Sequence, residues 1–149
     1  MHSDLQALGR AVKLAQYRQH RALDSALSGV GTTLAQWDAL RAVARTPGAS
    51  ARELAAATFQ SEQAFGTLVG RLTAQHLVER RPGRGRRIEH HLTAEGERVL
   101  AAGHKVADQV LADCFAPLSA GDRAQLLALL RRLGSQSGAD GDGDGDSRV

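Results

Sequence analysis

Residues 49–96 read ASARELAAATFQSEQAFGTLVGRLTAQHLVERRPGRGRRIEHHLTAEG, and the order of patterns inside that stretch decides the fold. Ser50 and Glu53 have capping-box spacing and open a short helix that ends near Thr58, with Leu54 as its core anchor. Phe59-Gln60 forms a turn, and Ser61 caps a second helix running to about Gln75. On that helix Ala64, Phe65, Leu68, Val69 and Leu72 share one side, and Gln63, Gly66, Thr67, Gly70 and Arg71 share the other. Leu77 to Arg81 reads as a strand, Pro82-Gly83-Arg84-Gly85 as a hairpin tip, and Arg86 to Leu92 as the return strand. Helix, turn, helix and basic hairpin, in this order, is the layout of a winged helix-turn-helix.

The flanks extend the helical reading. A first helix is expected from Ser3 to about Leu27, with Ser3 and Gln6 at capping-box spacing and Leu5, Leu8, Val12 and Ala15 as an apolar stripe. Thr33 and Gln36 repeat the box ahead of a helix that turns Leu34, Trp37, Leu40 and Val43 inward until Thr46-Pro47-Gly48 stops it. Thr93 caps a long helix to about Phe115, Pro117 breaks it, and Ser119 and Asp122 start a last helix bearing Leu126, Leu127, Leu129, Leu130 and Leu133. The fold class is therefore mostly α with a small β-hairpin wing. The organisation is a single domain over 1–137, with flanking helices at about 3–28 and 93–134 around a winged helix-turn-helix at about 33–92. A Gly/Asp tail at 138–149 cannot bury apolar surface and is expected to be disordered.

Composition bounds the function. The chain has 149 residues, 42% hydrophobic but only 3% aromatic, so its core must be built from Leu, Ala and Val. No apolar run is long enough to cross a bilayer and no secretory signal pattern opens the chain, so a membrane role is not expected. Cys114 is the only cysteine, which excludes an intramolecular disulfide and points to a reducing, cytoplasmic location. The net charge of +3 understates the body's positive field: the tail from Gly138 holds four Asp and one Arg, which leaves +6 for the remainder. Five Arg within Arg80–Arg87 concentrate that charge and suggest a polyanionic partner.

The chemistry follows from the two exposed surfaces. Gln63, Thr67 and Arg71 recur every four residues opposite the apolar stripe, where Gln can pair with adenine and Arg can reach guanine or phosphate. Gly66 and Gly70 each lower helix propensity by about 1 kcal/mol, and their missing side chains permit close backbone approach to a duplex. Arg84, Arg86 and Arg87 at a glycine-rich tip suit phosphates or a narrow minor groove. With Ser50, Gln60 and Ser61 near the helix starts, these residues make up the expected DNA-binding set.

These pieces resemble the MarR family of bacterial transcriptional regulators. The matching segments are TLAQWDALRAV, ARELA, LVGRLTAQHLVER and GRGRRIEHHLTAEG, and the likeness covers about Ser3 to Leu133. The resemblance implies a homodimer in which the first and last helices of both subunits interlock, here through Leu5, Leu8, Val12, Leu126, Leu129, Leu130 and Leu133. It also implies a palindromic DNA operator and repression relieved by a small-molecule effector or an oxidant. An effector pocket between the dimer helices and the DNA-binding lobe would draw on Tyr17, His20, Arg21 and Trp37. The chain departs from the family pattern at three places. Arg84 stands where a carboxylate often precedes the wing arginine, here Arg86. His76 stands where a Gly commonly ends the recognition helix, and so needs a left-handed backbone or another cap. Cys114 lies late in the chain, unlike the N-terminal cysteines of oxidant sensors, and is expected to be a packed or tolerated thiol.

No nucleophile elbow, phosphate loop or metal-ligand set is present, so no enzyme and no cofactor is expected. Adjacent His90 and His91 point to opposite faces of a strand and do not converge on a metal. Asp140, Asp142 and Asp144 imitate half of a calcium loop but lack its closing Glu. The alternatives that remain are a non-specific architectural DNA-binding protein and a redox switch through Cys114.

Overall fold

The computed structural model describes residues 2–134; the Gly/Asp tail lies outside them. Within the described residues, six helices and one hairpin follow in the order α1 (His2–Ser28), α2 (Leu34–Arg45), α3 (Ala51–Ala57), α4 (Glu62–Ala74), β1 (Val78–Pro82), β2 (Ile88–Leu92), α5 (Ala94–Cys114) and α6 (Ala120–Gly134). The chain falls into two compact units that divide between Ala112 and Asp113, within α5.

Local chemistry accounts for most boundaries. The Ser50 hydroxyl accepts from the Glu53 N–H at 3.2 Å, and the Glu53 carboxylate accepts from the Ser50 N–H at 3.3 Å, so the full capping box forms. Thr33 achieves half of one: its hydroxyl accepts from the Gln36 N–H at 3.1 Å, while the Gln36 side chain turns to Thr32 instead, at 3.2 Å. The expected Ser3 box is absent, because α1 begins at His2 and leaves Ser3 inside its first turn. Ser61, Thr93 and Ser119 each accept from a backbone N–H three residues on, as expected of caps.

Two helices end in Schellman motifs without glycine. At the end of α4, His76 has φ +62°, its N–H donates to Thr73 O, and the Leu77 N–H reaches back to Leu72 O at 2.9 Å. The left-handed backbone that the missing glycine called for is therefore adopted by histidine. Phe59 does the same after α3, at φ +57°, with the Gln60 N–H on Ala55 O at 2.9 Å. Leu77 belongs to the first of these motifs, so β1 starts one residue later than the apolar pattern suggested. The return strand also starts later than expected, at Ile88. Gly83 N–H bonds to Arg87 O at 2.8 Å and Arg87 N–H to Arg84 O at 3.1 Å, drawing Arg86 and Arg87 into the tip loop.

The hairpin is antiparallel, with Val78 opposite Leu92 and Pro82 opposite Ile88. Ala49 bridges to His90 and ties the segment before α3 to the wing. Beneath it lies the core of the DNA-binding lobe: Leu40, Val43, Leu54, Phe65, Val69, Leu72 and Val78 are all buried. Ala64, expected on that buried side, is exposed in the first turn of α4. A second cluster joins Leu23 and Leu27 of α1 to Leu34 and Trp37 of α2 and Ala107 of α5. The Leu34 N–H donates to Asp24 at 2.8 Å and fixes α2 to α1. Glycine is required where α5 meets the end of α4: a Cβ on Gly96 would lie 2.0 Å from Leu77 O.

Candidate nucleic-acid interface

α3 and α4 meet through Leu54, Phe65 and Val69, which leaves the polar side of α4 to solvent. Gln63, Thr67 and Arg71 are all exposed on it, as expected. The Thr67 hydroxyl donates back to Gln63 O at 3.2 Å, whereas Arg71 makes no side-chain bond among the described residues. A Cβ placed on Gly66 or Gly70 would meet nothing within 4 Å, so no internal packing demands either glycine. Ser50 and Ser61 use acceptor capacity in their helix caps and keep their hydroxyl protons available for an anion. Gln60 is half-buried in the turn.

The wing arginines divide into two kinds. Arg84 and Arg86 are exposed, and their side chains carry no bond among the described residues. Arg87 differs from the expectation that grouped it with them. Its guanidinium makes two bonds to Glu53, at 2.7 and 3.1 Å, and a third to Gly48 O at 3.1 Å. The reason is positional: the tip loop turns Arg87 back towards the N-terminus of α3, where Glu53 already stands for the capping box. The hydrogen bond from Arg87 holds the Glu53 carboxyl below its ordinary range, and the same contact raises Arg87. No spacing rule reveals this pair, because its members lie 34 residues apart. At the wing base Arg81 pairs with Glu79. His90 is buried with Nδ1 2.9 Å from Ala49 O, while the His91 ring lies 3.0 Å from Glu89, so the two rings have separate partners.

The expected effector residues are not gathered in one place. His20 and Trp37 line a cavity of about 300 Å³ together with Gln16, Asp38 and Arg41. Trp37 is also core: it is buried, and its indole N–H donates to Leu100 O at 3.3 Å. Tyr17 and Arg21 instead pair with each other, through a 3.1 Å hydrogen bond and a guanidinium 5.7 Å above the ring. They occupy the same helical stripe, four residues apart, one step round from His20.

The apolar residues assigned to dimerisation are uncovered in the single chain. Leu5 is 70% exposed, Leu8 59%, Val12 45% and Leu133 65%. Leu129 and Leu130 are exposed too, Leu126 is intermediate, and α6 has no buried residue. Cys114 is exposed at the end of α5 rather than packed. The described residues contain no cluster of three metal-ligating side chains and no helix long and apolar enough to cross a membrane.

A helix-turn-helix with a polar outer helix, joined to an arginine-tipped hairpin, defines a winged-helix DNA-binding transcriptional regulator. Residues 30–88 match the profile of the MarR family. The HTH-type transcriptional repressor Rv2887 of Mycobacterium tuberculosis is 30% identical over 115 residues, covering 76% of this chain and 83% of that protein. The chain belongs to the MarR family. Its fold is similar to that of a MarR mutant from Escherichia coli complexed with operator DNA, with a TM-score of 0.82 at 22% identity over 89% of this chain and 97% of the other. Rv2887 has been solved with DNA (TM-score 0.72, 26% identity, covering 85% and 97%) and with salicylic acid (TM-score 0.70, 27% identity, covering 85% and 95%).

Proposed function

We propose that the protein is a sequence-specific repressor that binds a palindromic operator as a homodimer and releases it when a small molecule binds. One observation carries this reading: the exposed polar side of α4 and the two unbonded arginines of the wing stand on one lobe with a common core. In this reading α4 enters the major groove and reads bases through Gln63, Thr67 and Arg71. Ser50, Gln60 and Ser61 bind the flanking phosphates, and Arg84 and Arg86 grip the backbone or minor groove. The protein acts by occupancy rather than catalysis, in the cytoplasm where the chromosome lies. The exposed leucines of α1 and α6 meet those of a second copy, and residues 1–137 work as one MarR-type domain.

The cavity lined by His20 and Trp37 is the proposed effector site, with Arg41 exchanging its 3.4 Å contact with Asp38 for the carboxylate of an acid such as the salicylic acid bound by Rv2887. Titrating salicylate while following the single tryptophan tests that assignment: saturable quenching supports it, and none removes it.

The test of DNA recognition is selection from random duplexes. A recovered palindrome is expected. Arg86→Ala should weaken binding to it and flatten the plot of log affinity against log salt by about 0.9 for each phosphate the variant no longer neutralises. Gln63→Ala should alter base preference and leave that slope alone. If the protein binds random and selected duplexes equally, it is an architectural binder and the repressor reading fails.

A further inference from the structure

We propose that Glu53 and Arg87 form a positioning pair that holds the wing at a fixed place relative to the recognition helix, and that Arg87 contributes to DNA binding through this brace rather than by touching DNA. The proposal rests on the DNA-binding reading above.

The Ala49–His90 bridge already ties the middle of the hairpin to the segment before α3, so the support that the wing needs is one at its tip. The wing has two five-residue strands and a loop from Gly83 to Arg87, and a two-stranded hairpin is marginal by itself. Its tip carries Arg84 and Arg86, with no carboxylate bonded to either among the described residues. Like charges at the tip repel each other and give the loop no attraction to hold it in place. Arg87 provides one. Its three bonds reach both Glu53 oxygens and Gly48 O, so they fix direction as well as distance.

The other end of the brace is itself anchored. Glu53 Oε2 accepts from the Ser50 N–H as well as from Arg87, so one carboxylate joins the wing tip to the first turn of α3. α3 packs on α4 through Leu54 and Phe65. Side chains on α4 and on the wing tip are thereby held in one frame, and DNA does not have to order the wing as it binds. The pair itself is about half exposed on both sides, at 40% and 48%, where an ion pair adds little to folding stability. Its effect belongs in DNA affinity rather than in melting temperature.

Charge arithmetic separates this role from direct contact. If Arg87 binds a phosphate, Glu53 competes with the DNA for it, and neutralising Glu53 tightens binding. If Arg87 is a brace, neutralising Glu53 loosens the wing and weakens binding. The experiment uses the full-length chain and a duplex selected by wild type, measured across a salt series. Glu53→Gln keeps an oxygen for the Ser50 N–H and removes the charge. It is expected to weaken binding by about three- to tenfold through weaker preorganisation, with unchanged melting temperature. Arg87→Gln should match it without lowering the salt slope, and the double variant should be no worse than either single one. Unchanged or tighter binding by Glu53→Gln overturns the brace, as does a slope lowered by about 0.9 or more in Arg87→Gln. A fall in affinity that merely follows a fall in melting temperature overturns it too. If wild type binds no duplex at all, the DNA-binding reading itself fails and the brace falls with it.

Discussion

Replacing Gly96 with alanine should destabilise the protein by about 2–4 kcal/mol, even though alanine is the better helix former. Gly96 sits in the first turn of α5, and an added Cβ would lie 2.0 Å from Leu77 O, 3.0 Å from Leu77 C and 3.4 Å from Leu77 Cα. All three are backbone atoms, so no side chain can rotate away. Leu77 O also accepts the Thr93 N–H at 3.1 Å, and the Thr93 hydroxyl both caps Gly96 at 3.0 Å and donates to His76 O at 2.6 Å. Relieving the clash therefore pulls on three bonds at once. Overpacking costs about 1–3 kcal/mol. The strained backbone bond and the cap add about 1 kcal/mol each. Better helix propensity returns at most about 1 kcal/mol. At about 4 °C per kcal/mol for a chain of this size, the melting temperature should fall by roughly 8–16 °C. Urea and thermal unfolding at matched protein concentration measure it, because a dimer's apparent stability depends on concentration. A variant as stable as wild type would refute the close approach of α5 to Leu77.

Other substitutions should move in the opposite direction, or be seen by other probes. Phe59→Gly should stabilise the protein by about 1 kcal/mol in urea, because Phe59 holds a left-handed backbone while 97% exposed. Gly103→Ala should destabilise by about 1–3 kcal/mol and shift the fluorescence of the single tryptophan, since the new Cβ lies 2.3 Å from the Trp37 ring. Gly66→Ala and Gly70→Ala should each raise stability by up to about 1 kcal/mol while weakening operator binding, because nothing inside the protein occupies the space outside either glycine. Glu53 should titrate below an ordinary glutamate in an NMR pH series, and Arg87→Ala should return it towards the ordinary value. By linkage, the small stability that this exposed Arg87–Glu53 contact adds is present above the unfolded carboxylate's pKa and is lost as pH falls through the depressed folded value.

What was legible in the sequence was what is local. The Ser50 box, the Ser61, Thr93 and Ser119 caps and the inward side of α2 depend on neighbours three or four residues away, and all form. Ser3 failed because the same spacing occurs inside a helix whose first residue is His2. The pocket residues divide for a related reason: Tyr17, His20 and Arg21 are close in sequence, but the helical repeat sends His20 to the cavity that Trp37 also lines and pairs Tyr17 with Arg21. The glycine of LTAEG could be matched to a family without a reason for it. The reason is a non-local contact with Leu77 O, which no pattern within α5 contains.

The carboxylate that braces the wing stands on α3, not on the wing itself. The family resemblance leads to the expectation of a carboxylate at position 84, where this chain has Arg84. In the structure the pairing carboxylate is Glu53, on α3, and the arginine it holds is Arg87 rather than Arg86. A pairing carboxylate on α3 rather than on the wing has two consequences. The wing is tied to the helix-turn-helix instead of to itself, so its position follows α3. Arg84 and Arg86 are also both left unpaired among the described residues, so the tip can offer DNA two cations where an internal pair would neutralise one. Placing a carboxylate at the tip with Arg84→Asp should therefore lower affinity and flatten the salt slope by more than Arg84→Ala, because the new carboxylate would also recruit Arg86. Equal slopes for the two variants would show that Arg86 does not depend on the charge at position 84.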